Sequence, residues 1–218
     1  MKTRIKICCI ASPEEARLAI NHGASAVGLV SAMPSGPGVI SETLIAEIAE
    51  SAPPGIATVL LTSQQTASGI IDQQKRCRTN TIQICDELLE GTYAEMKESM
   101  PGIKLMQVVH VVDESSVDEA ITISEQVDAI LLDSGNPNLS VKELGGTGRV
   151  HNWSLSRLII DSVRKPVFLA GGLNPGNVKK AIEAVRPFGV DLCSGVRTNK
   201  LLDLAKLKDF TKGVLSVS

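Results

Sequence analysis

Residues 166–196 read PVFLAGGLNPGNVKKAIEAVRPFGVDLCSGV, and this stretch holds the pattern that predicts the fold. An apolar run at 166–170 is followed by a glycine turn, an amphipathic segment at 175–185, a second apolar run at 189–193 and a second glycine turn. Short apolar runs that alternate with helical segments are typical of βα units with parallel strands. We therefore interpret this stretch as one complete βα unit followed by the strand of the next.

The same unit repeats about eight times along the chain. The predicted strands are 4–10, 24–31, 56–61, 81–85, 103–111, 129–133, 166–170 and 189–193. The predicted helices are 13–22, 41–51, 66–76, 87–99, 115–126, 153–163, 175–185 and 201–212. Ser12-Pro13 and Asn174-Pro175 each offer a side-chain acceptor followed by proline, which predicts a helix start at both places.

Two architectures accommodate such a run, the closed barrel and the open doubly wound sheet. Eight units of similar length favour closure, and no Gly-x-Gly-x-x-Gly turn follows the first strand. We predict an α/β fold, a (β/α)8 TIM barrel that forms a single domain over 1–218. The long segments 32–40 and 134–152 follow strands two and six, so we expect them on the C-terminal rim as substrate loops.

Composition excludes several classes of partner. The chain has 218 residues, 43% of them hydrophobic and only 2% aromatic, and a formal charge of −2. Few rings are available to stack on bases and no net positive charge attracts phosphate backbones, so we expect no nucleic-acid partner. No apolar run approaches the roughly 18 residues of a membrane span. Five cysteines without regular spacing indicate reduced thiols, and we expect a cytoplasmic protein.

The two glycine turns predict a phosphate site. In this fold the loops after strands seven and eight commonly hold phosphate through backbone N–H groups at a helix N-terminus, and glycine permits the close approach. The alternative is that these glycines only make tight turns. The residues we expect to bind substrate or phosphate are Gly171, Gly172, Asn174, Asp191, Cys193, Ser194, Gly195 and Val196.

Motifs along nearly the whole chain resemble the phosphoribosylanthranilate isomerase family. Lys6-Ile7-Cys8 is similar to the family's Lys-Ile-Cys-Gly, and Leu131-Leu132-Asp133 to its Leu-Leu-Asp. Further matches are Ile82-Gln83-Ile84, Gly145-Gly146-Thr147-Gly148 and, most specific of all, Gly171-Gly172-Leu173-Asn174-Pro175 with Ser194-Gly195-Val196. The resemblance implies an isomerase of tryptophan biosynthesis that catalyses the Amadori rearrangement of N-(5'-phosphoribosyl)anthranilate without a cofactor.

Some positions depart from the family pattern. Cys9 replaces the glycine after the motif cysteine, and 34–39 reads PSGPGV, without the arginine that the family uses to bind the anthranilate carboxylate. Two other functions therefore stay open at this stage. The chain could be a diverged isomerase of another phosphosugar, or a phosphosugar-binding protein without activity.

The resemblance assigns the catalytic acid to Asp133 and the base to Cys8. An aspartic acid at a strand end retains its proton near neutral pH only if burial or a neighbouring anion raises its pKa. A cysteine base needs partial thiolate character, to which Lys6 could contribute. Asp133 could instead cap a loop, and Cys8 could be an inert buried thiol. Because side chains alternate along a strand, we expect Cys9 to face the helices.

The remaining polar residues suggest little other chemistry. Cys8, Cys85 and Cys193 could converge with His110 or His151 on a metal, but their spacing lacks the usual zinc patterns, so we expect no metal site. Asp86-Glu87 and Asp113-Glu114 are interpreted as helix starts rather than pairs of catalytic carboxylates. We expect a small phosphorylated sugar as the ligand and a monomer or homodimer as the assembly.

Overall fold

Eight parallel strands close into a barrel in the computed structural model, which describes residues 2–136, 139, 141–146 and 148–217. The strands pair in chain order, and β8 returns to pair with β1. They are β1 (Arg4–Ile7), β2 (Ala26–Val30), β3 (Ala57–Thr62), β4 (Thr81–Ile84), β5 (Lys104–His110), β6 (Ala129–Asp133), β7 (Val167–Leu169) and β8 (Gly189–Leu192). The predicted (β/α)8 barrel is confirmed.

Eight helices surround these strands in the described part of the chain. They are α1 (Pro13–Asn21), α2 (Glu42–Ser51), α3 (Ala67–Cys77), α4 (Tyr93–Ser99), α5 (Ser115–Ser124), α6 (Trp153–Ser162), α7 (Val178–Val185) and α8 (Leu204–Leu215). None of the described helices is long and apolar enough to cross a membrane.

The core has two layers because successive strand residues point to opposite sides. Outward residues such as Ile5, Ile7 and Leu60 pack against the helices in one large apolar cluster. Inward residues such as Val59 and Met106 fill the barrel in a second, smaller cluster. Lys6 points inward from β1 and is fully buried. The barrel interior therefore carries charge as well as apolar side chains.

The two predicted proline caps behave differently. Ser12 caps α1 as predicted, and its Oγ accepts from the Glu15 N–H at 3.2 Å. The start predicted at Asn174-Pro175 is wrong, because α7 begins at Val178. Asn174 Oδ1 instead accepts from the Gly176 N–H at 2.9 Å. A side chain that bonds to backbone two residues ahead makes a turn rather than a helix cap.

Two other helices begin later than predicted. Asp86-Glu87 does not start α4, which begins at Tyr93 with the Thr92 hydroxyl accepting from the Glu95 N–H. Gly91, with φ +82°, reverses the chain just before that helix.

The second late helix is α8, which begins at Leu204, with Asp203 as its cap. A short hairpin of β9 (Arg197–Thr198) and β10 (Leu201–Leu202) occupies the start that we had predicted.

Cys9 does not face the helices, so that expectation is wrong. Strand β1 ends at Ile7, and Cys9 takes a left-handed conformation with φ +61°. Alternation holds only in extended backbone, and the turn at Cys9 brings its side chain to the same side as that of Cys8. Both cysteines pack in the cluster inside the barrel. This is the position where the family pattern has glycine, the residue that most readily adopts positive φ.

Candidate active site

One pocket opens at the carboxyl ends of the strands and collects most of the predicted site residues. Those that line it are Cys8, Asp133, Gly171, Gly172, Asp191, Cys193 and Ser194. The two loops predicted for the rim also contribute, through Ser35, Gly36 and Pro37 and through Gly145, Gly146 and Gly148. Pro137, Asn138, Ser140 and Thr147 of the second loop lie outside the described residues.

Asp133 ends β6 at the pocket and has only 6% of its surface exposed. The pKa of Asp133 is raised to about 6, chiefly by burial and in addition by the charge of Asp191. Hydrogen bonds from the Ser134 and Gly135 N–H groups, and the charge of Lys6, oppose this shift in the pKa. At this pKa roughly one carboxyl group in ten keeps its proton at pH 7, far more than for an ordinary aspartic acid, and an acid catalyst needs this protonated form.

Cys8 stands on a different wall of the same pocket, directly after β1. Its surface is 6% exposed, and its N–H donates to the Leu192 carbonyl at 2.8 Å. A side-chain carbon placed on Gly28 would lie 2.9 Å from Cys8 Sγ and 3.1 Å from Lys6 Nζ. The thiol and the ammonium thus converge on the space that Gly28 leaves empty. The Lys6 ammonium group therefore faces the Cys8 thiol across a space about the size of one methyl group.

The ammonium group is held by Asp191. Lys6 Nζ lies 3.0 Å from Asp191 Oδ1, and the Lys6 side chain is completely buried. Burial alone would lower the pKa of Lys6, but Asp191 and the nearby thiols outweigh it and raise that pKa. Lys6 therefore stays charged inside the barrel. An ion pair buried this deeply is expensive to assemble, which indicates a role beyond stability.

Two further thiols lie beside Cys8. Cys9 Sγ lies 3.6 Å from the Pro37 carbonyl oxygen, so this thiol contacts the rim loop that follows β2. Contacts with the Cys193 and Cys8 thiols, together with burial, raise the pKa of Cys9. The pKa of Cys193 is lowered by Cys9 and by the charge of Arg197, against the effect of burial. Cys9 therefore keeps its proton and is a poor candidate for the base.

The glycine turn after β7 has a left-handed backbone at two successive residues. Gly171 and Gly172 have φ of +84° and +60°, a region that disfavours any other residue. The side-chain amides of Asn174 and Asn177 both donate to the Gly172 carbonyl, at 3.2 and 3.0 Å. Asn174 thus lies behind the turn and shapes it, and it does not line the pocket among the described residues.

The turn after β8 completes this side of the pocket. Residues Ser194–Val196 form one turn of 3-10 helix. Ser194 lines the pocket, whereas the Val196 side chain is fully buried away from it. A side chain on Gly195 would overlap the Leu173 carbonyl oxygen. No acceptor among the described residues takes the N–H groups of Gly172 or Ser194, which leaves both available to an anion.

The rim loops are fastened to each other across the pocket. Lys142 Nζ donates to both carboxylate oxygens of Asp86, at 2.9 and 2.8 Å. The Ser35 hydroxyl donates to the Lys142 carbonyl at 2.6 Å. Asp86 therefore anchors the loop after β6 instead of starting a helix. Sequence reasoning missed this pair because its members are 56 residues apart.

The histidines considered as metal ligands do not form a metal site. Burial lowers the pKa of His110, and it lowers the pKa of His151 to about 4, so that His151 is neutral. Among the described residues, no three His, Cys, Asp or Glu side chains are grouped so that they could hold a metal ion.

Known proteins of one family are similar to this chain over nearly its full length. The family described as N-(5'phosphoribosyl)anthranilate (PRA) isomerase matches residues 5–213. The N-(5'-phosphoribosyl)anthranilate isomerase of Methanocella arvoryzae is 35% identical, over 97% of this chain and 98% of that protein.

Solved structures agree with this match. The phosphoribosyl anthranilate isomerase of Thermotoga maritima superposes with a TM-score of 0.82 at 31% identity, over 98% of this chain and 99% of the other. A second structure holds reduced 1-(o-carboxyphenylamino)-1-deoxyribulose 5-phosphate. It superposes with a TM-score of 0.79 at 29% identity, over 98% and 99% of the two chains. The Thermotoga enzyme is described as dimeric.

Proposed function

The chain belongs to the N-(5'-phosphoribosyl)anthranilate isomerase family, and from this premise we propose that Asp133 and Cys8 are the acid and the base of its reaction. The enzyme is an intramolecular aldose-ketose isomerase of tryptophan biosynthesis. The observation that carries the assignment is the presence, in one pocket, of a buried carboxyl group with a raised pKa and a thiol beside a buried ammonium.

In the first step Asp133 donates its proton to the ring oxygen of the phosphoribosyl group. The C1'–O4' bond breaks, and the nitrogen lone pair forms the iminium with C1'. Asp133 is left as a carboxylate, and its backbone donors Ser134 and Gly135 accommodate the new charge. The raised pKa makes this proton easier to retain until it is needed.

In the second step the Cys8 thiolate removes the proton from C2'. The C2'–H electrons form the C1'=C2' bond, and the iminium nitrogen becomes a neutral amine. The resulting enol-amine then becomes the ketone at C2': C1' takes a proton from the Cys8 thiol and the enol hydroxyl gives its proton to the Asp133 carboxylate, which returns both groups to their starting forms. Lys6 favours this step because its charge stabilises the thiolate that begins it. Acid and base together balance every proton, so the reaction needs no cofactor.

The phosphate binds to the two glycine turns. The unpaired N–H groups of Gly172 and Ser194 would meet its oxygens, with Gly171 and Gly195 leaving room for close approach. Asp191 and Cys193 line the pocket, where they would contact the sugar. Asn174 and Val196 act indirectly, by shaping the two turns.

A phosphorylated sugar derivative is thus the ligand, and a monomer or homodimer is the working assembly. Five cysteines, all free, fit a reducing compartment, and we place the enzyme in the cytoplasm.

The test is complementation of a tryptophan auxotroph that lacks this isomerase. We expect growth without tryptophan for the wild-type gene and none for Asp133→Asn. A turnover assay with purified enzyme and N-(5'-phosphoribosyl)anthranilate should agree. Growth that Asp133→Asn supports equally well would remove Asp133 from the mechanism.

A further inference from the structure

The backbone carbonyl groups of Cys8 and Cys9 are held by one side chain, that of Arg197. Its Nη2 donates to the Cys9 carbonyl at 2.6 Å and to the Cys8 carbonyl at 3.3 Å. Its Nη1 donates to Glu15 Oε1 at 2.9 Å, and only 7% of the Arg197 side chain is exposed. The guanidinium therefore joins the end of β1 to the turn that follows β8.

Glu15, the ion-pair partner of Arg197, is itself hydrogen-bonded to two backbone N–H groups. Its carboxylate accepts from the Ala11 N–H at 3.0 Å and from the Leu202 N–H at 3.2 Å. Ala11 follows β1, and Leu202 lies in β10 of the short hairpin. The ion pair is thus attached to both connections that surround the thiols. A charge pair on a fixed backbone frame holds its geometry better than one between free surface side chains.

The conformation of Cys9 explains why these carbonyls need a side-chain donor. The register of β1 with β8 ends at the pair Ile7 and Leu192, and Cys9 then turns with φ +61°. The two carbonyl groups leave the ladder at this turn, and buried carbonyls require a partner. Arginine meets the need because its planar group offers several donors in a rigid fork.

We infer that Arg197 is a positioning residue for the isomerase reaction, since it holds the turn that aims the Cys8 thiol into the pocket. The inference rests on the proposed role of Cys8 as the base. Arg197 itself does not line the pocket among the described residues, so it acts through Cys8 rather than on substrate. It also follows Val196 directly, so one residue ties the base to the turn that binds phosphate.

The experiment compares Arg197→Ala with wild type in steady-state kinetics, melting temperature and alkylation of Cys8 by iodoacetamide. Misplacement of a reacting group by about 1 Å can cost a hundredfold in rate. We expect kcat to fall by about ten- to hundredfold, with KM changing less than about threefold. The rate of alkylation at Cys8, resolved from Cys9 by peptide fragmentation, should change in parallel.

Chemical rescue separates positioning from a general loss of structure. Methylguanidinium added to Arg197→Ala should restore part of kcat, whereas it should not change the wild-type enzyme. Arg76→Ala is the control for loss of an arginine–carboxylate pair away from the pocket, because Arg76 forms a two-pronged but more exposed pair with Glu42 between α2 and α3. If Arg197→Ala does not fold, Arg197→Lys serves instead. Arg197→Lys keeps the positive charge and loses the planar fork of donors, and its kcat should be lower than that of wild type.

Three results would overturn the inference: unchanged kcat in Arg197→Ala, a loss no larger than that in Arg76→Ala, or a folded Arg197→Ala variant that methylguanidinium does not rescue. Cys8→Ser is measured in parallel to identify which idea has failed. An active Cys8→Ser enzyme would refute the base assignment, whatever Arg197→Ala does. An inactive Cys8→Ser with a fully active Arg197→Ala would refute only the positioning role.

Discussion

Asp133 and Cys8 are equally exposed, at 6% each, but they lie in walls of the barrel mouth that differ in charge. Around Asp133, burial and the anion Asp191 act together and favour the protonated form. Around Cys8, the buried ammonium of Lys6 is close, and Arg197 lies behind the backbone. The difference teaches that two equally buried groups can face opposite charges, since an anion raises the pKa of Asp133 while an ammonium group lies beside Cys8.

The largest expected effect comes from Asp133→Asn, which removes the acid and keeps the shape. We expect turnover to fall by at least about a hundredfold, the scale of a lost general acid. Steady-state kinetics measure this loss. The same substitution should also change the free energy of unfolding, which equilibrium unfolding at two pH values measures.

The pKa of Asp133 is raised from 3.8 to about 6 in the folded protein, so the wild type loses stability as pH rises from about 4 to beyond 6. Asn avoids that cost, which is up to about 3 kcal/mol. The variant should therefore be more stable than wild type at pH 7 and equal to it near pH 4. Equal stability of Asp133→Asn and wild type at both pH values would contradict a raised pKa for the buried Asp133 carboxyl group.

Cys8→Ser should cost about as much activity as loss of the acid. A serine hydroxyl is a far weaker base than a thiol at neutral pH, so we expect turnover to fall by at least about a hundredfold. Steady-state kinetics of Cys8→Ser and Cys9→Ser provide the measurement.

Cys9→Ser should lose less than about tenfold, since Cys9 keeps its proton beside Cys193. Both thiols face the pocket. If Cys9 proves essential and Cys8 dispensable, the base is Cys9 and the proposed assignment to Cys8 is wrong.

Gly172→Val tests the anion site with a smaller effect. Its side chain would lie 2.8 Å from backbone atoms of Gly148 and Arg149, and the residue has φ +60°. We expect affinity for a phosphate-containing ligand, measured by calorimetric titration, to fall by at least about tenfold, with a loss of about 1–2 kcal/mol in stability from the left-handed conformation.

Gly102→Val is the control for this strain. Gly102 has φ +91° and no neighbouring atom within 4 Å of an added side chain. Gly102→Val should lose the stability that the backbone strain costs, without the additional loss from the close contacts at Gly172, and it should lose no affinity. Equal affinities in Gly172→Val and wild type would refute the anion site at this turn.

The smallest effect concerns pH. The acid form of Asp133 is lost as pH rises through about 6, so kcat/KM of the free enzyme should decline along that limb. Asp191→Asn removes an anion that raises the pKa of Asp133, and it also frees Lys6, which lowers that pKa. Infrared titration of the Asp133 carboxyl should therefore give a pKa lower by on the order of one unit. An unchanged or higher pKa in Asp191→Asn would contradict the electrostatic effect of Asp191 on the Asp133 carboxyl group.

Much of the site was predictable because its signals are local. The glycine turns after β7 and β8 and the aspartate that ends β6 follow directly from their places in the repeated unit. Gly28 inside a strand also carries a readable signal, since such a glycine often marks a close approach. The orientation of Cys9 was wrongly predicted because a single left-handed residue ends the alternation of side chains along the strand. A cysteine in the sequence gives no sign of a left-handed conformation.

The sequence by itself determined the barrel, its eight units and the rim where the predicted site residues lie. The reason is that the periodic pattern of apolar residues and the order of the strands can both be read along the chain. Only the tertiary structure decided which groups share an environment. Arg197 and Glu15 are 182 residues apart, and Lys142 and Asp86 are 56 apart. Closure of the barrel brings β8 beside β1 and the rim loops together. The different charges that face Asp133 and Cys8 come together through that closure, since electrostatic interactions depend on distance in space and not on separation along the chain.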